Sequence, residues 1–277
     1  MKFRTASAPR ERTFELPRLL AWYQTNYDVL FSHFVCFGIP AHANSSARQQ
    51  HDVKGLLELY ANLLFDCASG TPGDMRTISK LSLKMNRPWL RAAQKLQFRD
   101  PHSFLVKLRK LEVEIALSDT PSRIKSLRTN GLKEARERRE AALFCKGMSE
   151  RLGQTVYFAS HEDQDFDFVA SWVIEDSQHF APVQLKEVVP TALNSSATLE
   201  SVIDGLEKYT DSSDLTVAIH LNQVGRFDPD ALRLQHLKLG SVWVFAAATA
   251  DQSLWNLWGN FTEDGPYGNQ FAYPAVA

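Results

Sequence analysis

The chain has 277 residues and a formal net charge of -1, with 44% hydrophobic and 23% charged residues, which is the composition of an ordinary globular protein. This length is sufficient for two domains, each with its own hydrophobic core. No segment approaches the ~20 consecutive apolar residues of a membrane-spanning helix, so the composition excludes an integral membrane protein of the helical type.

The start of the chain and its cysteines indicate the expected compartment. The first residues, MKFRTASAPRERTF, lack the apolar stretch of a secretory signal. The cysteines Cys36, Cys67 and Cys145 are odd in number, scattered and without metal-ligand spacing, which suits a reducing interior. We therefore expect a cytoplasmic protein with no membrane partner.

Charge is distributed unevenly along the chain. Residues 76–139 contain 17 Lys and Arg against 6 Asp and Glu, whereas residues 161–277 contain 5 against 17. The basic segment could attract a nucleic-acid backbone, because Lys and Arg contacts dominate phosphate binding. Alternatively, the basic and acidic halves attract one another.

The first part of the chain, residues 1–130, is predicted to be a mainly α-helical domain. Residues 15–35 and 51–65 have the strongest helical patterns. Residues 76–98 resemble a helix-turn-helix, in which Pro88 would lie in the first turn of the second helix. That helix would present three basic residues to DNA, although a plain helix pair with a basic outer face fits the same pattern. The three residues are Arg87, Arg91 and Lys95.

The second part, residues 131–277, is predicted to be an α/β domain. Apolar residues recur at helical spacing in three segments, whereas five others are short apolar runs and indicate strands. Gly153 is a natural end for the first helix. The predicted order is helix 134–153, strand 155–160, strand 165–173, strand 180–189, helix 197–210, strand 214–222, helix 228–238 and strand 241–249.

Polar residues interrupt the second and third of these strands. Because side chains of a strand alternate between two faces, Asp165 and Asp167 should share one face while Phe166 and Phe168 take the other. By the same rule, we expect the pair Gln184 and Lys186 to project together and Glu187 to point away. If the strands are neighbours, a carboxylate, an amide oxygen and an ammonium group converge.

These three groups form a recognisable chemical set. A carboxylate and an amide oxygen are hard ligands suited to Mg²⁺ or Mn²⁺, and they leave coordination positions for water and a phosphate oxygen. The compact charge of a lysine can hold a metal-bound hydroxide or offset charge that develops on a phosphate. The set therefore points to phosphodiester chemistry.

The motif resembles that of the PD-(D/E)XK nuclease superfamily, which has the restriction-endonuclease-like fold. In that superfamily an acidic residue on the second core strand precedes an acid-x-Lys element on the third, and the core order is helix, three strands, helix, strand. Asp167 matches the first element and Gln184-Leu185-Lys186 the second. Gln184 departs from the usual Asp or Glu, which removes one negative charge, although some members use Gln there. Asp165 is an alternative to Asp167 as the ligand.

The superfamily often takes a further glutamate from the preceding helix. The resemblance places Glu140 in that role, with Glu137 as the nearest rival. Alternatively, the acidic residues of this helix pair in solvent with the arginines around them. We expect a soluble, metal-dependent nuclease that acts on DNA in preference to RNA. Its protein partner could be a second copy of the same chain or another protein. The competing expectation is a catalytically inactive module of the same fold that binds nucleic acid or protein.

Overall fold

A computed structural model describes residues 88–117, 132–161, 166–210, 212–263 and 267–275 of the chain. Several predictions lie outside these ranges: both helices of the first 70 residues, the first helix of the helix-turn-helix, Arg87 and Asp165. Within the described ranges the protein is an α/β fold, as the sequence predicted, with a mixed sheet flanked by helices. None of the helices there is both long enough and apolar enough to cross a membrane.

The sheet has seven strands whose spatial order equals their order in the chain. The pair β3–β4 and the pair β4–β5 are parallel, and the remaining four neighbouring pairs are antiparallel. Short hairpins join antiparallel strands, whereas each parallel pair needs a crossover, and the first crossover contains a short helix. The strands are β1 Tyr157–Ser160, β2 Phe168–Ile174, β3 Ser177–Val188, β4 Ser212–Leu221, β5 Leu239–Ala247, β6 Leu254–Gly259 and β7 Tyr267–Ala272.

In the described part of the chain, four helices accompany the sheet. They are α1 Pro88–Ala93, α2 Pro101–Ala116, α3 Lys133–Leu152 and α4 Leu199–Asp204. The Asp100 side chain caps α2 by accepting a hydrogen bond from the Ser103 N–H at 2.6 Å. Helix α3 ends at Gly153, as predicted, because that residue adopts a left-handed conformation with φ +65° and its N–H donates to the Ser149 carbonyl.

Each face of the sheet covers a separate core cluster. The cluster on the side of α3, called the α3-side core, contains Phe144, Phe168 and Leu185 among others. The cluster on the side of α4, called the α4-side core, contains Val217 and Ile219. This division follows from the strand period of two, because register partners on neighbouring strands share a face.

Helix α2 belongs to the same structural unit as the sheet, although the sequence placed it before residue 130. Its apolar stripe, which includes Phe104 and Leu108, is buried in the α3-side core. Just before it, the backbone of Arg99 pairs with Phe158 of β1 through two hydrogen bonds of 2.8 and 3.1 Å. Residues 99–116 therefore pack together with the α/β part of the chain.

One predicted helix is shorter than its sequence pattern suggested, and another does not form. Helix α4 begins after Thr198, whose side chain and that of Ser201 cap each other's backbone N–H groups, but it ends at Asp204. The predicted helix 228–238 is wrong: only a 3₁₀ turn, Pro229–Ala231, forms there, and Leu232 is extended. The leucines of that segment cover the α4-side core from an irregular chain, so tertiary packing overrides their helical spacing.

The C-terminal segment adds two strands that were not predicted. Strands β6 and β7 pair antiparallel and extend the sheet beyond β5. Trp255 is buried in the α3-side core, and Trp258 packs against the α4-side core. The alternation of buried and half-buried residues in β6 matches a strand with both faces covered.

Candidate functional site

Asp167 and β3 meet at the point where β2 begins. The Asp167 N–H donates to the Val183 carbonyl at 2.9 Å, and its carboxylate Oδ2 accepts from the Leu185 N–H at 2.7 Å. The same oxygen accepts a hydrogen bond from the Gln184 side-chain amide. The carboxylate thus accepts a hydrogen bond from a backbone N–H of β3 that lies beyond the last residue pair between β2 and β3. The predicted adjacency of the two strands is confirmed, and Asp167 directly contacts Gln184.

The amide of Gln184 has a partner at each end. Its Nε2 donates to Asp167, and its Oε1 accepts a hydrogen bond from the Tyr209 hydroxyl at 3.2 Å. A hydroxyl can donate or accept. Tyr209 could therefore hold the amide in the opposite orientation as well, with Oε1 turned toward Asp167 and Nε2 donating to the hydroxyl. The residue that holds Gln184 is 25 positions away in sequence.

Lys186 is the third member of the cluster and is half-buried. Burial lowers its pKa, and the positive charge of nearby Lys208 lowers it further, whereas the negative charge of Asp167 raises it. Gln184 and Lys186 lie two residues apart on β3, so they share the face that packs toward Tyr209 and the α4-side core. Asp167 thus attracts this ammonium group electrostatically, while burial disfavours its charged form.

The pKa of the Asp167 carboxyl group is raised, whereas that of Lys186 is lowered. Burial raises the pKa of Asp167 above the usual range. The hydrogen bond from the Leu185 N–H opposes this, as do the charges of Lys186 and Lys133 and the hydrogen bond from Gln184. Desolvation is the largest of these effects, so the ionised form is only partly compensated. Buried charged groups that are only partly compensated are concentrated at functional sites.

An open cleft of about 500 Å³ lies against Asp167 on the side of α3. Lys133 and Arg138 contribute positive charge to its wall, and Glu137 contributes a carboxyl group whose pKa is raised, mainly by burial and also by the nearby charge of Asp167. His161, at the end of β1, completes the polar lining. Each of these two cationic side chains is paired with a carboxylate that also lines the cleft, Lys133 with Glu137 at 3.3 Å and Arg138 with Glu134, so the wall carries charges of both signs.

Glu140 lies elsewhere on α3 and has different partners. It is 4% exposed, and its carboxylate lies 3.2 Å from Nδ1 of His220 on β4. Glu187 of β3 is close by and points away from Gln184 and Lys186, as predicted. Among the acidic residues of α3, Glu137 interacts electrostatically with Asp167. The structure thus brings Asp167 into contact with Gln184, places Lys186 within electrostatic range of Asp167, and places Glu140 in a second cluster.

The remaining predicted residues have mixed outcomes. The prediction that Phe166 and Phe168 share a face is wrong: Phe166 packs in the α4-side core and Phe168 in the α3-side core. The reason is that β2 begins only at Phe168, so strand alternation does not extend back to Phe166. In the basic segment, α1 begins at Pro88 as predicted, and both Arg91 and Lys95 are exposed.

Sequence reasoning missed three residues near the cluster. Lys133 and Lys208 interact electrostatically with Asp167 and Lys186, respectively, and Tyr209 bonds Gln184. Each lies at or beyond the end of a helix, where no periodic pattern singles out a residue. The only available signal was the presence of cationic residues within otherwise ordinary helical charge patterns.

The fold and the site define an α/β protein with a mixed seven-stranded sheet and an acid, amide and lysine cluster where β2 begins. Compared with known protein families, curated proteins and solved structures, the chain has no match in any of the three.

Proposed function

We propose that this protein is a metal-dependent nuclease that hydrolyses phosphodiester bonds, with DNA favoured over RNA as the substrate. The observation that carries the proposal is the contact of Asp167 with Gln184, 17 residues further along the chain, with Lys186 two residues beyond on β3 and within electrostatic range of Asp167. A structural strand has little reason to bury a lysine whose charge the fold disfavours.

The order of elements supports a restriction-endonuclease-like fold. Helix α3 is followed by β1, β2 and β3, then by α4 and β4. This is the helix, three strands, helix, strand order of the PD-(D/E)XK superfamily. Asp167 lies one residue before the second strand of that series, on which the motif has its acidic residue, and the Gln184-Leu185-Lys186 element lies in the third strand, as in the motif.

The donor set fits a hard divalent cation. Within the described part of the chain, both hydrogen bonds to the Asp167 carboxylate are accepted by Oδ2. Oδ1 could therefore coordinate a metal ion. Gln184 could add its amide oxygen after a rotation that Tyr209 can accommodate. Carboxylate and amide oxygens are the ligands that Mg²⁺ and Mn²⁺ prefer. When bound, such an ion would make a ligated water more acidic and offset negative charge on the phosphate.

The surrounding side chains have roles that follow from their positions. Lys186 would hold its ammonium group beside the reacting phosphate and stabilise charge that develops there. On the α3 side of Asp167, Lys133 and Arg138 would contact a neighbouring phosphate of the backbone in exchange for their pairing with Glu137 and Glu134. Exposed Arg91 and Lys95 would contact the backbone of the nucleic acid at a distance from the cluster.

The direct test is cleavage of plasmid, linear duplex and single-stranded DNA, and of RNA, by the full chain with Mg²⁺ or Mn²⁺. We expect metal-dependent cutting that stops when the metal is chelated and that is lost in the Asp167→Asn variant. Absence of cutting on all four substrates with both metals would contradict the proposal.

A second candidate is a non-catalytic module of the same fold that binds nucleic acid. A specific observation favours it: the Gln184 amide presents its nitrogen, not its oxygen, to Asp167, so the pair satisfies itself without a metal ion. Binding of labelled DNA by the full chain, weakened when Arg91 and Lys95 are both changed to Gln, without any cutting, would favour this module over the nuclease.

Replacing Tyr209 by Phe is expected to lower the cleavage rate about tenfold, because it removes the hydroxyl that orients Gln184. The change should raise the Mg²⁺ concentration needed for half-maximal activity, since a ligand is held less firmly. Cleavage rates measured across a Mg²⁺ titration check this. The control is Tyr157→Phe, a matched change on β1 that should leave both quantities unaltered.

The Asp167→Asn variant is also expected to be at least as stable as the wild type in chelator. Burial raises the pKa of Asp167, so its contribution to stability is fully present only below the pKa of an unfolded aspartate and is lost as pH rises through the folded pKa. An asparagine does not ionise, so the variant does not lose stability in this way as pH rises. Thermal melting between pH 4.5 and 8 should show the difference in favour of the variant increasing with pH; a difference that shrinks as pH rises would contradict this expectation.

A further inference from the structure

A second polar cluster lies on the opposite side of the sheet from Gln184 and Lys186. Glu187 and His220 are register partners on the parallel strands β3 and β4, so their side chains stand next to each other on the α3 face. Glu140 projects onto them from α3. One ligand-type atom from each of these three side chains lies within 4.8 Å of the other two.

The three side chains are withdrawn from water to an unusual degree for ionisable groups. The side chains of Glu140 and His220 are 5% and 6% exposed, and that of Glu187 is 12% exposed. Two carboxylates at this depth repel each other and lose their hydration, which is expensive unless positive charge compensates them.

Among the described residues, two arginines of α3 approach this cluster. Arg136 approaches Glu187 at 3.9 Å, which is a long ion pair. Arg139 interacts electrostatically with Glu140, but its guanidinium group is bonded to Glu112 at 3.0 Å and to Gln252 at 2.6 Å. Within the described residues, the group nearest to the Glu140 carboxylate is the His220 ring, which could share a cation with it.

The spacing of the ligand atoms suits a small dication. The distance from the Glu140 carboxylate to His220 Nδ1 is 3.2 Å. Two ligands of a tetrahedral ion with bonds of about 2.0 Å are separated by about 3.3 Å, so this pair can form one edge of such a site. Glu187 can complete a third position through a small side-chain rotation, and a water molecule the fourth.

The supporting contacts resemble those that orient metal ligands. The side-chain amide of Asn222 donates to Glu187 Oε1 at 2.8 Å and holds that carboxylate in place. Phe245 stacks on the ring of His220 with centroids 5.0 Å apart and planes 10° from parallel, which limits rotation of the imidazole. An oriented imidazole with two oriented carboxylates selects Zn²⁺ or a similar first-row transition ion over Mg²⁺, which prefers oxygen ligands alone.

We infer that Glu140, Glu187 and His220 form a second, structural metal site that binds a transition-metal dication such as Zn²⁺ and ties α3 to the ends of β3 and β4. The site is separate from the Asp167 cluster and does not rest on the proposed nuclease function. The alternative explanation, which needs no metal ion, is an ion pair between Glu140 and His220.

The test uses the full chain carrying Asp167→Asn, so that the Asp167 cluster cannot contribute an aspartate ligand. Isothermal titration with Zn²⁺ should show one bound ion, and Co²⁺ should produce visible absorption bands. Bound Zn²⁺ should raise the melting temperature, while equimolar Mg²⁺ should not. Adding Glu187→Gln should remove the binding, and adding Asn222→Ala should weaken it about tenfold.

Two results would overturn the inference: no Zn²⁺ binding in the Asp167→Asn background, as the ion-pair alternative requires, or undiminished binding after Glu187→Gln. Glu187→Gln is the deciding variant because it keeps the size of the side chain and its partner Asn222, so it should remain folded. Its fold is checked by the unchanged circular dichroism spectrum. The result is independent of whether the protein cleaves nucleic acid.

Discussion

Changing Lys186 to Met is expected to reduce metal-dependent cleavage about 100-fold or more without lowering the stability of the protein. The loss of rate follows from removing a positive charge that acts in a site withdrawn from water. Stability should be unchanged or slightly higher, because burial lowers the pKa of Lys186 and the fold therefore disfavours its charged form at neutral pH. Met keeps most of the aliphatic stem.

The measurements are single-turnover cleavage rates and thermal melting in the same buffer. Lys238→Met is a matched control, since Lys238 is exposed and precedes β5. It should change neither quantity. If Lys186→Met instead lowers the melting temperature and leaves metal binding intact, then Asp167 and Lys186 form only a stabilising ion pair, and the catalytic role of the lysine is wrong.

Replacing Phe245 by Ala is expected to destabilise the protein by about 3–5 kcal/mol, the usual range for truncating a buried aromatic residue. Phe245 is 0% exposed and lies on β5, where its ring is 5.0 Å from that of His220 and 6.2 Å from those of Phe144 and Trp255. Its removal would leave a cavity between the sheet and α3. These neighbours belong to α3, β4 and β6, so the rigid surroundings cannot readily collapse into the space.

Urea denaturation at constant temperature measures this loss as a shift of the midpoint. Val224→Ala is the control: Val224 is 101% exposed, and truncating it should change the free energy of unfolding by no more than about 0.5 kcal/mol. A loss below about 1 kcal/mol for Phe245→Ala would mean that the core on the side of α3 is less tightly packed than the structure shows.

Much of the α/β part could be predicted from local patterns. Helix α3 has apolar residues at helical spacing and a glycine at its end, and β2 and β3 have the composition and length of buried strands. The meeting of Asp167 with Gln184 followed from the assumption that these two strands are neighbours, which a short hairpin between them makes favourable. These features depend on interactions between residues close in sequence.

Local patterns failed where distant packing decides the conformation. The segment 228–238 has helical leucine spacing, yet it runs as an irregular chain because Leu234 is buried against the sheet. The short strands β6 and β7 form because each pairs with an existing neighbour, and an isolated hairpin of this length has little stability of its own.

The sequence by itself determined helix α3, the strands β1 to β5 and the pairing of Asp167 with Gln184. Only the tertiary structure decided the partners of these side chains. Tyr209 reaches Gln184 across 25 residues, and Glu140 reaches His220 across 80. Periodicity specifies which face of an element a residue occupies, whereas the partner it meets there depends on how elements far apart in the chain pack against one another.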